Sequence, residues 1–107
     1  MPLVRIEYDN DKVSNTDATI LSETIQKIVS EATSIEDVFV YANNSQIKIK
    51  TAPLEIFIEM SAHKIANPDK LIAEIKLQLA KWKQNNNFPH PINLTLIPMQ
   101  WKIEIGI

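Results

Sequence analysis

The chain contains no cysteine and a single glycine, Gly106. Without cysteine it can form neither disulfides nor iron–sulfur sites, and it has no cysteine nucleophile. One glycine excludes the phosphate-binding loops that need several, both the P-loop and the dinucleotide-binding fingerprint. Turns must therefore use asparagine, aspartate and proline, which tolerate or preset the backbone angles of a turn.

The chain also lacks a strong excess of charge of either sign. Its net charge is −2 over 107 residues, both signs are interspersed, and Arg5 is the only arginine. This pattern argues against a nucleic-acid-binding surface. No apolar run approaches the roughly 20 residues that a membrane-spanning helix needs, and no signal peptide is visible. We expect one cytoplasmic domain over residues 1–107.

Apolar residues follow a strand–helix–strand order that occurs twice, and the first cycle starts at the N-terminus. Val4, Ile6 and Tyr8 alternate with polar residues, which is typical of a strand with one buried face. Apolar residues at three- to four-residue spacing then indicate an amphipathic helix over 16–32. A second strand is predicted over 38–42.

The second cycle repeats the order with clearer boundary signals. Residues 54–60 alternate as a strand. Asn67-Pro68-Asp69 supplies an N-cap, a proline at the first helical position and an acid for the helix dipole. The asparagines at 85–87 are expected to end this helix. A strand over 92–97 follows, and Pro98 is expected to break it.

Two further short strands are predicted outside these cycles. Asn43-Asn44 suits a tight hairpin turn, after which Ile47 and Ile49 alternate with lysines as a short edge strand. Residues 101–107 alternate again up to the last residue, although no local partner for this strand is evident in the sequence.

The order of elements predicts an α+β fold built on a duplicated β-α-β unit. Two such units side by side give a four-stranded sheet with both helices on one face, plus the short extra strands. The opposite sheet face also needs a cover, and no residues are left over to provide it. We therefore expect sister subunits to cover that face.

On these features the chain resembles the tautomerase superfamily, which includes 4-oxalocrotonate tautomerase, 5-carboxymethyl-2-hydroxymuconate isomerase and macrophage migration inhibitory factor. The matching features are Met1-Pro2 before the first strand, the doubled β-α-β order and the chain length. Residues 52–62 are similar to the strand and turn before the second helix of the inhibitory-factor branch. The start and the Ile-Pro-Met-Gln segment at 97–100 look most like an uncharacterised domain-of-unknown-function branch.

The resemblance implies a homotrimer with a pocket around each N-terminal proline, near a subunit boundary. It implies that the nitrogen of Pro2 is a general base, which moves a proton between oxygen and carbon of a small keto–enol carboxylate. A cationic side chain would hold the substrate carboxylate. No cofactor is implied, and the expected reaction class is tautomerase or isomerase.

The candidate substrate-binding residues come from both lines of reasoning. By resemblance, the backbone of Ser61 and Ala62 borders the pocket. Lys12 and Lys50 are the best cations for a carboxylate, because their loops flank strand ends. Trp101 opens the last segment and either walls the pocket or fills an interface.

Base chemistry at Pro2 depends on the fate of Met1. If Met1 is removed, Pro2 carries a free secondary amine, and an α-amino group titrates at roughly 7.7–8.0. If Met1 stays, the same nitrogen is an amide and has no base chemistry.

Two other readings stay open. A non-catalytic trimeric scaffold or ligand-binding protein is favoured by the absence of a lysine just after helix one, where the inhibitory-factor branch has one. This chain has Ser34-Ile35-Glu36 there. A ferredoxin-like regulatory domain shares two β-α-β units and needs no Pro2 amine.

No metal site is predicted, because His63 and Glu59 lack further ligands nearby. For Arg5 we expect an ion pair with Glu7 or Glu59.

Overall fold

The computed structural model describes all residues from 1 to 107 and shows one mixed four-stranded sheet with two helices. The elements are β1 (Leu3–Tyr8), α1 (Asn15–Thr33), β2 (Phe39–Asn44), β3 (Leu54–Ser61), a 3-10 turn (Ala62–Lys64), α2 (Pro68–Asn86) and β4 (Asn93–Met99). The strand order is β2-β1-β3-β4. Strands β1 and β2 are parallel, β3 and β4 are parallel, and β1 runs antiparallel to β3. The predicted pair of β-α-β units is confirmed.

The strand order also excludes the ferredoxin-like reading. In that arrangement another strand splits each β-α-β unit. Here each parallel pair is directly hydrogen-bonded, and within the sheet the two units meet where β1 pairs with β3.

The core lies between one sheet face and the two helices. The alternation in β1 and β3 sends Val4, Ile6, Ile56 and Ile58 to this face, where all four are fully buried. Both helices contribute fully buried side chains to the same cluster, Leu21 and Ile25 from α1 and Ile75 from α2. Burial of each such side chain contributes about 1.5–3 kcal/mol, so this layer is the main source of stability.

Polar side chains set the helix boundaries close to where the sequence predicts them. Ser14 Oγ accepts the backbone N–H of Asp17 at the start of α1 (3.0 Å). Asn67 Oδ1 accepts that of Lys70 at the start of α2 (3.1 Å), with proline in the first position. Asn87 ends α2 in the left-handed region at φ 51°, a conformation that asparagine adopts more readily than most residues.

The predicted hairpin at Asn43-Asn44 and the edge strand after it are wrong. Both asparagines belong to β2 and pair with the last two residues of β1. The segment that follows forms no strand, and Ile47 and Ile49 are exposed. Its position is fixed instead by Lys48, which reaches across to Asp9.

The predictions at the C-terminus are also wrong in two respects. Pro98 does not break β4 but lies within it, opposite Met60 of β3. Because β4 is an edge strand, a residue without an N–H is tolerated there. The last segment, 101–107, forms no strand and pairs with no strand of the sheet.

The second sheet face, which we call the open face, carries no helix. The registers place an apolar group on it: Leu3, Phe39, Tyr41, Phe57 and Ile97. Phe39 and Tyr41 are 45% and 58% exposed.

The predicted ion pairs of Arg5 are found at the centre of the open face. Its Nη1 lies 3.0 Å from Glu59 Oε1 and its Nε lies 3.4 Å from Glu7 Oε1. The guanidinium also sits 4.9 Å from the centre of the Phe57 ring. All of these contacts of Arg5 are with residues of its own sheet.

The fold predicts a large difference between two identical substitutions. Ile56→Ala removes a fully buried side chain from the centre of the sheet. We expect it to lower the free energy of unfolding by about 2–5 kcal/mol. Ile49→Ala is the matched control, because Ile49 is 99% exposed. Urea denaturation of both variants measures the difference, and equal losses would contradict this description of the core.

Candidate functional site

One end of the sheet gathers several of the predicted site residues. Because β1 runs antiparallel to β3, the start of β1 lies beside the end of β3. Because β4 is parallel to β3, both strands end there together. Ser61, Ala62 and Trp101, which follow or close these strands, therefore lie at the same end of the sheet as Pro2.

Trp101 is fixed to Ser61 by a hydrogen bond. The indole Nε1–H donates to Ser61 Oγ at 2.6 Å, and Ser61 is only 9% exposed. The two residues belong to a cleft of about 420 Å³ at this end of the sheet. The residues that line the cleft are Ser61, Ala62, His63, Met99, Gln100, Trp101 and Lys102.

Pro2 lies at the edge of this region with its side chain fully buried. Its carbonyl oxygen accepts the backbone N–H of Phe39 at 3.2 Å, which fixes the start of β1 against β2. Extending the β1–β3 register by two residues from the Leu3–Glu59 pair places Met1 opposite Ser61. With Met1 attached, the Pro2 nitrogen is an amide; without it, a secondary amine would stand beside the cleft.

The structure does not bring Lys12 and Lys50 to this cleft. Lys12 follows the far end of β1, and Lys50 lies beside that end. The length of β1, about 16 Å, separates this end from Pro2. The backbone N–H of Lys12 donates to the Asp9 carbonyl (3.0 Å) in the loop after β1. Lys50 lines a smaller cleft of about 240 Å³, whose walls include Glu7 and Glu55. Within one chain, neither lysine can hold a ligand that contacts Pro2.

Lys48, one of the lysines of the predicted edge strand, is the centre of a polar cluster at that far end. Its Nζ lies 2.7 Å from Asp9 Oδ1 and donates to Asn10 Oδ1 at 2.8 Å. Thr51 Oγ1 also donates to Asp9 (3.4 Å). The hydrogen bond from Lys48 lowers the pKa of Asp9 below its ordinary value of 3.8. The same hydrogen bond raises the pKa of Lys48 above its ordinary value of 10.5. This cluster ties the segment after β2 to the loop after β1.

Other features of the chain do not form a second reactive site. No group of three or more histidine, aspartate or glutamate side chains is placed to hold a metal ion. His90 is held between α1 and the loop before β4, where its Nε2 lies 3.0 Å from Asp17 Oδ2 and its ring meets the edge of Phe88. Neither helix is long and apolar enough to cross a membrane.

Four of the seven residues that line the cleft were not predicted as site residues: His63, Met99, Gln100 and Lys102. His63 was considered only as a metal ligand, and Lys102 was not among the candidates. His63 and Lys102 line the cleft because β3 and β4 end side by side and Trp101 bonds to Ser61 there. A pattern of alternating apolar residues at 101–107 predicts a straight strand instead, so the sequence holds no signal for this contact.

The geometry of the fold has clear counterparts among known proteins. No family model matches the sequence, and no curated protein matches it. Among solved structures, a macrophage migration inhibitory factor-like protein from Entamoeba histolytica is similar, with a TM-score of 0.65 and 17% identity over 96% of this chain and 95% of that one. The chain has the fold of the tautomerase superfamily.

Two further structures support the same assignment. A fused 4-OT described as an asymmetric trimer has a TM-score of 0.64 and 14% identity over 94% of this chain and 91% of that one. A 5-carboxymethyl-2-hydroxymuconate delta-isomerase has a TM-score of 0.63 and 9% identity over 99% and 89%. The predicted resemblance is confirmed, and at these identities it concerns the fold.

The Lys48–Asp9 pair predicts a pH-dependent loss of stability. The lowered pKa of Asp9 means that its carboxylate stabilises the fold above pH 3.8 and loses this effect as the pH falls through its folded-state pKa. The raised pKa of Lys48 means that its ammonium stabilises the fold below pH 10.5 and loses the effect above its folded-state pKa. Lys48→Met should therefore lower the urea midpoint most near neutral pH.

The matched control is Lys50→Met, because Lys50 is exposed and forms no ion pair. Its midpoint should follow that of the unmodified protein at every pH. A Lys48→Met effect that stays constant down to strongly acidic pH would show that the packing of the side chain, and not its charge, stabilises this loop.

Proposed function

We propose that the protein is a tautomerase or isomerase in which Pro2, freed by removal of Met1, is the general base. The substrate is a small keto–enol carboxylate, and no cofactor takes part. The observation that supports this most is the position of Pro2 at the start of β1, at the sheet end that holds the Ser61–Trp101 cleft. The similarity in fold to a named delta-isomerase is consistent with this chemistry.

The proposed reaction uses a single amine, which first removes a proton from the substrate and then returns one. The neutral Pro2 nitrogen accepts the proton of the enol hydroxyl, and the resulting ammonium returns a proton to the substrate carbon. A base whose pKa lies near the working pH can do both. The pKa of a free α-amino group, roughly 7.7–8.0, already lies close to that range, and burial lowers it further. Hydrogen-bond donors around the cleft would stabilise the enolate charge as it develops.

The proposed assembly is a homotrimer in which the open face is covered by sister copies. The open face carries Phe39 and Tyr41 in exposed positions on the edge strand β2. A similar solved structure, the fused 4-OT, is described as a trimer. In such an assembly Lys12 or Lys50 could serve the cleft only from a neighbouring copy, because their own chain places them at the far end.

The alternative is a non-catalytic trimer that acts as a scaffold or binds a ligand. The observation that favours it is that neither of the two predicted lysines lies at the cleft of its own chain. Retention of Met1 would favour it further, because Pro2 would then carry no base.

The Pro2 mechanism predicts which form of the protein turns over substrate. Intact mass of the untagged protein should show loss of one methionine. This form should convert phenylenolpyruvate or a hydroxymuconate. Pro2→Ala should lower kcat/KM by about 10²–10⁴-fold, the usual contribution of a general base. A form with an uncleaved N-terminal extension should be equally impaired, because its Pro2 nitrogen is an amide.

Pro91→Ala provides the matched control, since Pro91 is exposed in the loop before β4. Its activity should equal that of the unmodified protein. Full activity of Pro2→Ala, or of the extended form, would refute the mechanism. Repeated failure to turn over enol acids with a free Pro2 terminus would favour the non-catalytic trimer.

The assembly predicts a sedimentation mass of three chains of 12.2 kDa each. Tyr41→Glu should shift the protein to smaller species, because it places a charge among the exposed apolar side chains that sister copies would cover. Ile20→Glu is the control, since Ile20 is an exposed apolar residue on a helix. A monomeric unmodified protein at micromolar concentration would contradict the trimer.

A further inference from the structure

The cleft at the Pro2 end of the sheet has no negatively charged residue in its lining. The chain has a net charge of −2, yet none of the seven residues that line this cleft is acidic. Two of them, His63 and Lys102, can carry positive charge. Neither takes part in any ion pair of the chain, so their charges are available to a ligand.

Ser61 adds a hydrogen-bond donor with no acceptor inside the protein. Its oxygen accepts the Trp101 indole N–H, and its own hydroxyl hydrogen is not donated to any protein group. Ser61 as a whole is only 9% exposed. A hydroxyl that accepts one hydrogen bond can still donate one, so a ligand oxygen in the cleft can accept a hydrogen bond from Ser61.

Trp101 contributes a rigid flat surface beside these groups. The hydrogen bond to Ser61 holds the indole at one point and limits its rotation. A conjugated ligand can therefore stack on a wall that is already ordered, at little cost in side-chain entropy.

From these observations we infer that Lys102 and His63, with the Ser61 hydroxyl, form the carboxylate-binding end of the cleft, and that Trp101 selects planar, conjugated acids. This inference rests on the proposed function for the class of ligand. It replaces Lys12 and Lys50 with Lys102 as the cation, and the cation comes from the same chain as the Pro2 nitrogen.

The test is a binding measurement that needs no turnover. Calorimetric titration with trans-cinnamate, a planar conjugated carboxylate, should give saturable binding. Cinnamamide, which has the same shape and no charge, should bind about tenfold more weakly or not at all. Lys102→Gln should weaken cinnamate binding about tenfold, the usual effect of losing a charge-assisted hydrogen bond. Lys102→Arg should restore most of the affinity.

The matched control is Lys64→Gln, because Lys64 is exposed, directly follows His63 and does not line this cleft. It should bind cinnamate like the unmodified protein. Equal affinity for cinnamate and cinnamamide, equal effects of the Lys64 and Lys102 substitutions, or no binding at all would each overturn the inference.

The proposed enzyme function and the cleft assignment can each be wrong while the other holds. Pro2→Ala should lose turnover but keep cinnamate binding, because Pro2 is not part of the charged end. If binding depends on Lys102 and no enol acid is ever turned over, the cleft assignment stands and the enzyme proposal fails. If turnover requires Pro2 while Lys102→Gln leaves KM unchanged, the enzyme proposal stands and the cleft assignment fails.

Discussion

The antiparallel pairing of β1 with β3 is the contact on which the rest of the molecule depends. It joins the strands of the two β-α-β units into one sheet, and its centre is the fully buried pair Ile6 and Ile56. The direction of this pairing has a chemical consequence. It sets the first residues of the chain beside the last residues of β3, so that an N-terminal amine and the Ser61 hydroxyl share one end of the sheet. A parallel pairing would place them at opposite ends.

Whether an element could be predicted from the sequence depends on how far apart in the sequence its contacting residues lie. The helices and the four main strands were predictable because their signals are local: alternation in β1 and β3, and the caps at Ser14 and Asn67. The segment after β2 was not, because Lys48 is held by Asp9, 39 residues away in sequence. The cleft was only half predictable for the same reason. Ser61 and Trp101 were predicted from resemblance and position, while Lys102 lies in a C-terminal segment whose alternation predicts a strand that does not form.

The scarcity of glycine explains why polar side chains fix so many of the turns. Both helices end on non-glycine residues in the left-handed region, Ser34 at φ 57° and Asn87 at φ 51°. For L-residues this conformation costs about 1–2 kcal/mol. Asp9 likewise shapes its loop by accepting the backbone N–H of Asp11 at 3.0 Å. The positions of the loops thus depend on specific hydrogen bonds and ion pairs, and less on backbone freedom.

Binding and base chemistry are separable in this fold. The charge, donor and flat wall of the cleft come from side chains at the ends of β3 and β4, and none of them depends on the state of the Pro2 nitrogen. Base chemistry depends on a single peptide bond, between Met1 and Pro2. Under the two proposals, a chain that keeps Met1 would retain the proposed acid-binding cleft and lack the base that moves the proton. The catalytic and the non-catalytic readings therefore share one architecture and differ in one processing step, which makes N-terminal processing, and not the fold, the property that decides between them.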